Sequence, residues 1–309
     1  MATKRLDLST LISSYGSEET ARGLLEELRW PNGIACIKCG STRNNRVTGR
    51  DTFRCLDCPT HFSVRAGTVL QDSKLPLSKW LLATYMICEA KKGISSNQLK
   101  RMLGVSYKTS WFLTHRVRGA MGQIKHFQLT GTVEADETFH GGKPRYMRYN
   151  PDGSIAQGPD PMNPKPIVLG AVQRGGEVRF RVVTNRTKAT LKDFLTSEVA
   201  DVAEAVYTDE WPGYRGIMAD EDTIHDTTDH KAREYVRGEV HSNTIEGVWS
   251  LFKRSVIGTH HQLSVKHLPA YLDEVAFKYN NRDNTDIFRE TLRVLVTADP
   301  MTYSELIAE

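Results

Sequence analysis

Four cysteines constrain this 309-residue chain more than any other feature: Cys36-x2-Cys39 is followed, after fifteen residues, by Cys55-x2-Cys58. Two pairs at this separation offer four thiolates that a tetrahedral Zn2+ collects, and a segment too small for its own core draws its folding energy from those bonds. Between them the chain is punctuated by Gly and Cys and carries only short β-prone runs, so residues 33–70 are expected to form a zinc ribbon. His61 is near enough to substitute as a ligand, but a full set of cysteines leaves it no vacancy. The fifth cysteine, Cys88, lies in the apolar run WLLATYMIC and is expected to be a buried small hydrophobe. No apolar run approaches the ~18 residues needed to span a bilayer, and MATKRLDLST lacks the apolar core of a signal peptide. A cytoplasmic chain with reduced cysteines, binding metal rather than forming disulfides, is the expectation.

Charge is informative by its distribution. The net charge of +4 is modest for a nucleic-acid binder. From Ala90 to Val133, however, there are eight Lys or Arg and no Asp or Glu, while acids gather elsewhere, as between Asp220 and Asp229. A basic segment of this kind suits a phosphate-facing surface. Periodicity predicts a helix over Ser17–Trp30, with Ser17 as N-cap, then helices over Leu77–Lys92, Ser96–Leu103 and about Ser106–Met121, with Gly104 as a tight turn. Three helices with that turn have the layout of a helix-turn-helix, assigned to residues 71–125 after an N-terminal helical segment, 1–32. Its candidate DNA-binding residues are Lys100, Arg101, Tyr107, Lys108, Thr109, Ser110, Arg116 and Arg118. A basic helical hairpin with a merely solvated face is the plainer alternative, and Trp111 and Phe112 read as core.

After Gly131 the pattern changes to strands over Thr132–Phe139, Ile167–Gln173 and Val178–Val183, a helix over Lys188–Ala200 and a strand over Ala205–Thr208, which predicts a mixed α/β domain. Lys143–Pro166 holds six of the twelve prolines and reads as an exposed insertion. Alternation in VEADETFHGGK puts Val133 and Ala135 on one face, Glu134 and Asp136 on the other. Asp209 follows a second strand in VYTDEWPGY, at the strand end where α/β sheets place reactive groups. In HSNTIEGVWSLFKRSV, Ile245, Val248, Trp249, Phe252 and Val256 form an apolar stripe. Glu246 lies beside it, with Lys253 two turns later at nearly the same angle and Asn243 one turn earlier. Three converging carboxylates hold two Mg2+ or Mn2+ ions through hard oxygen ligands, the apparatus of in-line phosphoryl transfer. Each acid taken singly has another reading: Asp136 a surface residue, Asp209 a turn or cap, and Glu246 the N3 member of a capping box begun by Asn243. His241, His260 and His261, nearby in sequence, are candidates for DNA contact or for simple solvation.

The motifs RWPNGIACIKCGS, FRCLDCPTHFSVRAGTVL, VEADETFHGGK, VYTDEWPGY, HSNTIEGVWSLFKRSVIGTHHQLSVKHLPAYLDE and FKYNNR together resemble, nearly end to end, the zinc-ribbon DDE transposases of bacterial insertion-sequence family 1595, the ISXO2-like group. The resemblance implies an α/β multidomain chain in which ribbon and helix-turn-helix precede an RNase H-like catalytic domain, residues 126–282 with the insertion at 143–166, and a C-terminal helical segment, 283–309. It further implies binding to transposon terminal repeats and target DNA, metal-dependent strand cleavage and transfer, and a homo-oligomer on paired ends, with no membrane and a nucleoid setting. Asp136 and Asp209 match the first two metal ligands. Members carry Glu or Asn in the third position followed by Lys, and this chain offers both Glu246 and Asn243 ahead of Lys253; Glu246 is preferred because a carboxylate binds Mg2+ better than an amide. A DNA-binding regulator without catalysis and a structure-specific nuclease are the rival readings.

Overall fold

The computed structural model describes residues 6–141, 165–217, 224–228 and 236–308. It divides into two compact units, residues 1–125 with 281–309, and residues 126–280.

The first unit opens with α1 (Leu8–Tyr15) and α2 (Glu18–Arg29). The Ser17 side chain accepts the Thr20 N–H, and Glu18 and Glu19 occupy the first turn, where the helix dipole favours negative charge. Strands β1 (Asn44–Arg46), β2 (Phe53–Cys55) and β3 (His61–Phe62) form a small antiparallel sheet in that order. Helices α3 (Leu77–Glu89), α4 (Ser96–Leu103) and α5 (Tyr107–Met121) follow. Gly104 ends α4 at φ 62°, a left-handed conformation that favours glycine, and Ser106 caps α5 by accepting from Thr109 N–H. This is the tight turn expected between the two helices.

In the second unit the chain runs through β4 (Thr132–Phe139), β5 (Ile167–Gln173), β6 (Val178–Val183), α6 (Lys188–Glu198), β7 (Ala205–Asp209) and β8 (Ile224–Thr228). A short hairpin, β9 (Val236–Arg237) with β10 (Val240–His241), then leads to α7 (Asn243–Ser255) and α8 (Leu268–Asn280). Sheet order is β6-β5-β4-β7-β8, with β4, β5 and β6 antiparallel and β7 and β8 parallel to β4. Three meandering strands continued by two parallel ones beyond the first is the RNase H-like arrangement. Leu191, Phe194 and Leu195 of α6 cover one face against Val133, Ala135, Leu169 and Val206. Ile245, Val248, Trp249 and Phe252 of α7, with Leu268 and Leu272 of α8, cover the other against Val168, Val172 and Val178. Coverage on both sides explains why β5 reads as an unbroken apolar run. The expected insertion at 143–166 lies outside the described residues except for Lys165 and Pro166, and the acidic stretch Asp220–Asp229 is described only over Ile224–Thr228.

The last two helices, α9 (Ile287–Thr297) and α10 (Tyr303–Ile307), belong to the first unit, where α9 packs on α2, α3 and α5 with Phe288, Leu292 and Leu295 buried. Cys88 is buried there, its sulfur 3.0 Å from the Thr291 hydroxyl. Among the described residues no helix is long and apolar enough to cross a membrane.

Candidate active site

β4 sets the site through its period of two. Val133 and Ala135 join the core under α6, which turns Glu134 and Asp136 toward α7. The parallel register with β7 pairs Thr132 with Ala205, Val133 with Val206 and Glu134 with Tyr207, so two further steps bring Asp136 level with Asp209 on the adjoining strand. The Trp249 indole N–H donates to Asp136 Oδ2 at 2.9 Å, and Asp209 Oδ1 accepts Trp211 N–H at 3.0 Å. That second bond is the turn expected as the plainer reading of Asp209, and it commits one of its two oxygens.

Burial pushes the Asp136 carboxyl up to about 7; the charges of Glu137 and Asp209 add to the rise, and the Trp249 hydrogen bond opposes it. An acid whose carboxyl is pushed up by burial and by neighbouring acids is one whose ionised form an arriving cation would favour. Glu246 sits one turn before Trp249 on α7 and is exposed. Its side chain makes no hydrogen bond or ion pair with any described residue, and neither do those of Asn243 and Lys253. The capping box is absent: Ser242 is the N-cap and makes no side-chain cap bond, while the free N–H groups of Thr244 and Ile245 donate to Glu134 at 2.7 and 3.0 Å.

Among the described residues, the four cysteines are the only set of three or more ligand groups lying within 4.8 Å of one another. Asp136, Asp209 and Glu246 are spread more widely than that. The sulfurs of Cys36 and Cys58 lie 3.5 Å apart and those of Cys39 and Cys55 3.6 Å apart, close to the ~3.8 Å edge of a tetrahedron with 2.3 Å Zn–S bonds. Cys36 and Cys55 are buried with Phe53 and Phe62 in the ribbon core, where the two Phe rings lie 5.6 Å apart and each meets Trp30 edge-on at 5.9 Å.

Two carboxylates outside the motif assignments flank Asp136. Glu134 is wholly buried and accepts four hydrogen bonds, from Arg174, the Thr244 N–H and hydroxyl and the Ile245 N–H, with His241 Nδ1 3.2 Å away. Glu137, on the α6 side, accepts from the Tyr214 hydroxyl at 2.9 Å and from Arg186 at 2.5 Å, and Arg186 lies 3.5 Å over the Trp211 ring. Burial first, and then the Glu137 charge, holds the Tyr214 phenol well above its ordinary range. This cluster fastens the WPGY turn directly after Asp209. The sequence carries a signal for both: three acids within four residues of one strand, two of them facing a covered side.

Gly170 pairs with Asp136 across the β4–β5 ladder, and a Cβ there would lie 2.5 Å from Trp249 Cη2. Gly170→Ala is therefore expected to push Trp249 off Asp136 and lower stability by about 1–3 kcal/mol, as overpacking does. Thermal unfolding of the variant checks this, and an unchanged midpoint would show that α7 yields freely.

On α4 and α5, Lys100, Arg101, Tyr107, Lys108 and Thr109 are exposed. Ser110, Arg116 and Arg118 are buried at 0%, 4% and 1% exposure, which corrects their placement on a DNA-facing surface. Arg116 donates to the Gln71 carbonyl and stacks near Trp80 and Phe112, so hydrogen bonding and ring faces offset its desolvation. His241 is held by Arg174, His260 packs on Tyr271 at 4.8 Å, and His261 is exposed.

A family model described as an ISXO2-like transposase domain matches residues 128–280, and one described as a transposase zinc-ribbon domain matches residues 16–61. An uncharacterized protein in transposable element ISH50 of Halobacterium salinarum is 29% identical over 270 residues, 84% of this chain and 90% of that protein. Among solved structures, the HTLV-2 integrase catalytic core domain in complex with magnesium is 13% identical at TM-score 0.27, covering 49% of this chain and 86% of that one. The Mos1 strand transfer complex is 12% identical at TM-score 0.31, covering 70% and 74%.

Proposed function

Because the chain belongs to the ISXO2-like transposases, with that domain over residues 128–280 and its zinc ribbon over 16–61, we propose that Asp136, Asp209 and Glu246 form its DDE active site. One observation carries this reading: Asp136 and Asp209 each lie two residues beyond the last pair of the parallel β4–β7 ladder, Trp249 of α7 bonds Asp136, and Glu246, with no bond to a described residue, is one turn away. Mg2+ or Mn2+ ions held by Asp136, Asp209 and Glu246 would supply activation of the attacking oxygen and stabilisation of the leaving oxygen in an in-line displacement. The chain's own residues prepare for this. Trp249 orients Asp136, the turn at Trp211 orients Asp209, and Asp136 surrenders its proton as charge arrives. Lys253, two turns beyond Glu246 and exposed, meets a substrate phosphate. Water is the nucleophile that frees a 3' hydroxyl, and that hydroxyl then attacks target DNA.

Lys100, Arg101, Tyr107 and Lys108 contact the transposon terminal repeats, with the ribbon alongside in the same unit. Two ends have to be joined, so the active form pairs copies of the chain on DNA, and its substrate places it in the cytoplasm at the nucleoid. Purified protein incubated with DNA carrying the element's terminal repeats should cleave and join strands with Mg2+ and not with EDTA. Asp209→Ala and Glu246→Ala should each lose about a thousandfold, the several kcal/mol of charge stabilisation a metal site supplies. Full activity in Asp209→Ala would overturn the assignment. An active Glu246→Ala beside an inactive Asn243→Ala would move the third ligand to Asn243, and repeat binding without cleavage by the natural chain would favour a regulator.

A further inference from the structure

The α7 helix begins without a local cap. Its Ser242 side chain makes no capping bond, and the first-turn donors are taken instead by a carboxylate 110 residues earlier in the chain. Glu134 Oε2 accepts from the backbone N–H groups of Thr244 and Ile245 at 2.7 and 3.0 Å. Its Oε1 accepts from the Thr244 hydroxyl at 2.8 Å and from Arg174 Nε at 2.7 Å, with His241 Nδ1 at 3.2 Å. Arg174 in turn holds the His241 carbonyl at 3.1 Å and lies over the Tyr207 ring at 4.9 Å. A buried negative charge set against the positive end of a helix dipole, with its remaining lone pairs filled by a guanidinium, is a strong and directional anchor.

The anchor is in register with the site. Two residues along β4 from Glu134 is Asp136, and Asp136 is bonded to Trp249, four to five residues along α7 from Thr244 and Ile245. Two residues of strand advance ~6.6 Å, and four to five residues of helix advance ~6–7.5 Å. The helix is thus fastened to one strand at two points of matching spacing, and Glu246 lies between them.

We propose that Glu134 is a positioning residue for metal binding: it fixes the N-terminus of α7 on β4 so that Glu246 is presented to the Asp136–Asp209 pair. This inference rests on Glu246 being the third acid. Glu134→Gln retains size but turns an N–H2 toward donors and removes the charge opposite Arg174. The test uses the full chain and measures strand joining on terminal-repeat DNA as a function of Mn2+ concentration, together with repeat binding in EDTA. The midpoint Mn2+ concentration is expected to rise about tenfold to a hundredfold, as loss of an outer-sphere partner typically does, with repeat binding unchanged. A structural role alone would lower the unfolding temperature and leave that midpoint where it was, and this result would overturn the proposal. Should Glu134→Gln fail to fold, Thr244→Val removes only the hydroxyl bond and is expected to raise the midpoint by a smaller, measurable factor; a wild-type midpoint there would also overturn it. Glu246→Ala separates the two levels. If it retains full joining, the assignment of the third acid has failed; if it is inactive while Glu134→Gln responds to Mn2+ normally, only the positioning role has failed.

Discussion

Asp136→Asn is expected to abolish strand joining, by ~10^3-fold or more for loss of a metal-site carboxylate, and at the same time to stabilise the metal-free protein at pH 8. The second effect follows from the raised carboxyl. Its folded-state value of about 7 stands above the ordinary 3.8, chiefly because burial disfavours the charged form. Such a group contributes its stability fully below about pH 4, and that contribution is lost as pH rises through 7, because the unfolded chain ionises first. A displacement of this size corresponds to about 4 kcal/mol, or roughly 10–15 °C in the unfolding midpoint of a domain this large. Asparagine keeps an oxygen for the Trp249 N–H and carries no charge to desolvate. Unfolding in EDTA should therefore show the variant ahead of the natural chain at pH 8 and level with it near pH 4. A variant that is less stable at both values would mean that Asp136 is held by interactions with its charged form, contrary to the burial-dominated account.

Removing zinc, by chelation or by Cys55→Ser, is expected to unfold the ribbon outright. Zinc in small metal-folded domains contributes about 10–16 kcal/mol, as much as the entire stability of an ordinary domain. The ribbon core of Cys36, Phe53, Cys55 and Phe62 has little else to hold it. The loss should spread to α2, because the half-buried Arg29 guanidinium donates to the carbonyls of Ser63, Val64 and Ala66 at 2.8–3.1 Å. Hydrogen exchange is the direct measurement: residues 33–62 should exchange as an unfolded chain while residues 126–280 keep their protection. Unchanged protection in the ribbon after chelation would show that its aromatic packing suffices without metal.

Patterns that repeat within a short stretch are legible in the amino-acid order itself. The alternation around Asp136 orients β4, and the stripe from Ile245 to Phe252 lays α7 on the sheet, because each depends only on the period of its own element. Pairing across distance is not legible in this way. Nothing local tells that Glu134 closes a helix 110 residues away, so the capping motif from Asn243 to Glu246 reads as complete although the actual acceptor comes from a strand. Similarly, Arg116 and Arg118 read as a basic surface because charge is normally exposed, and their burial depends on Gln71, Trp80 and neighbours that helical periodicity does not reveal. Strand β8 and the short hairpin ahead of α7 leave no such mark, since both are brief and polar, with no face periodic enough to register.

The matched spacing of β4 and α7 separates two kinds of sequence variation. Substitution is tolerable on the outer side of this helix: Gly247 is exposed, a Cβ added there would have nothing within 4 Å, and Ser250 is exposed as well. A change in length is different. One residue inserted between Ile245 and Trp249 would turn everything after it by ~100° and advance it by ~1.5 Å, so the indole and the capped end could no longer both meet their acids. In the descent of such a chain this stretch can change its letters freely at two positions while its count of residues stays frozen.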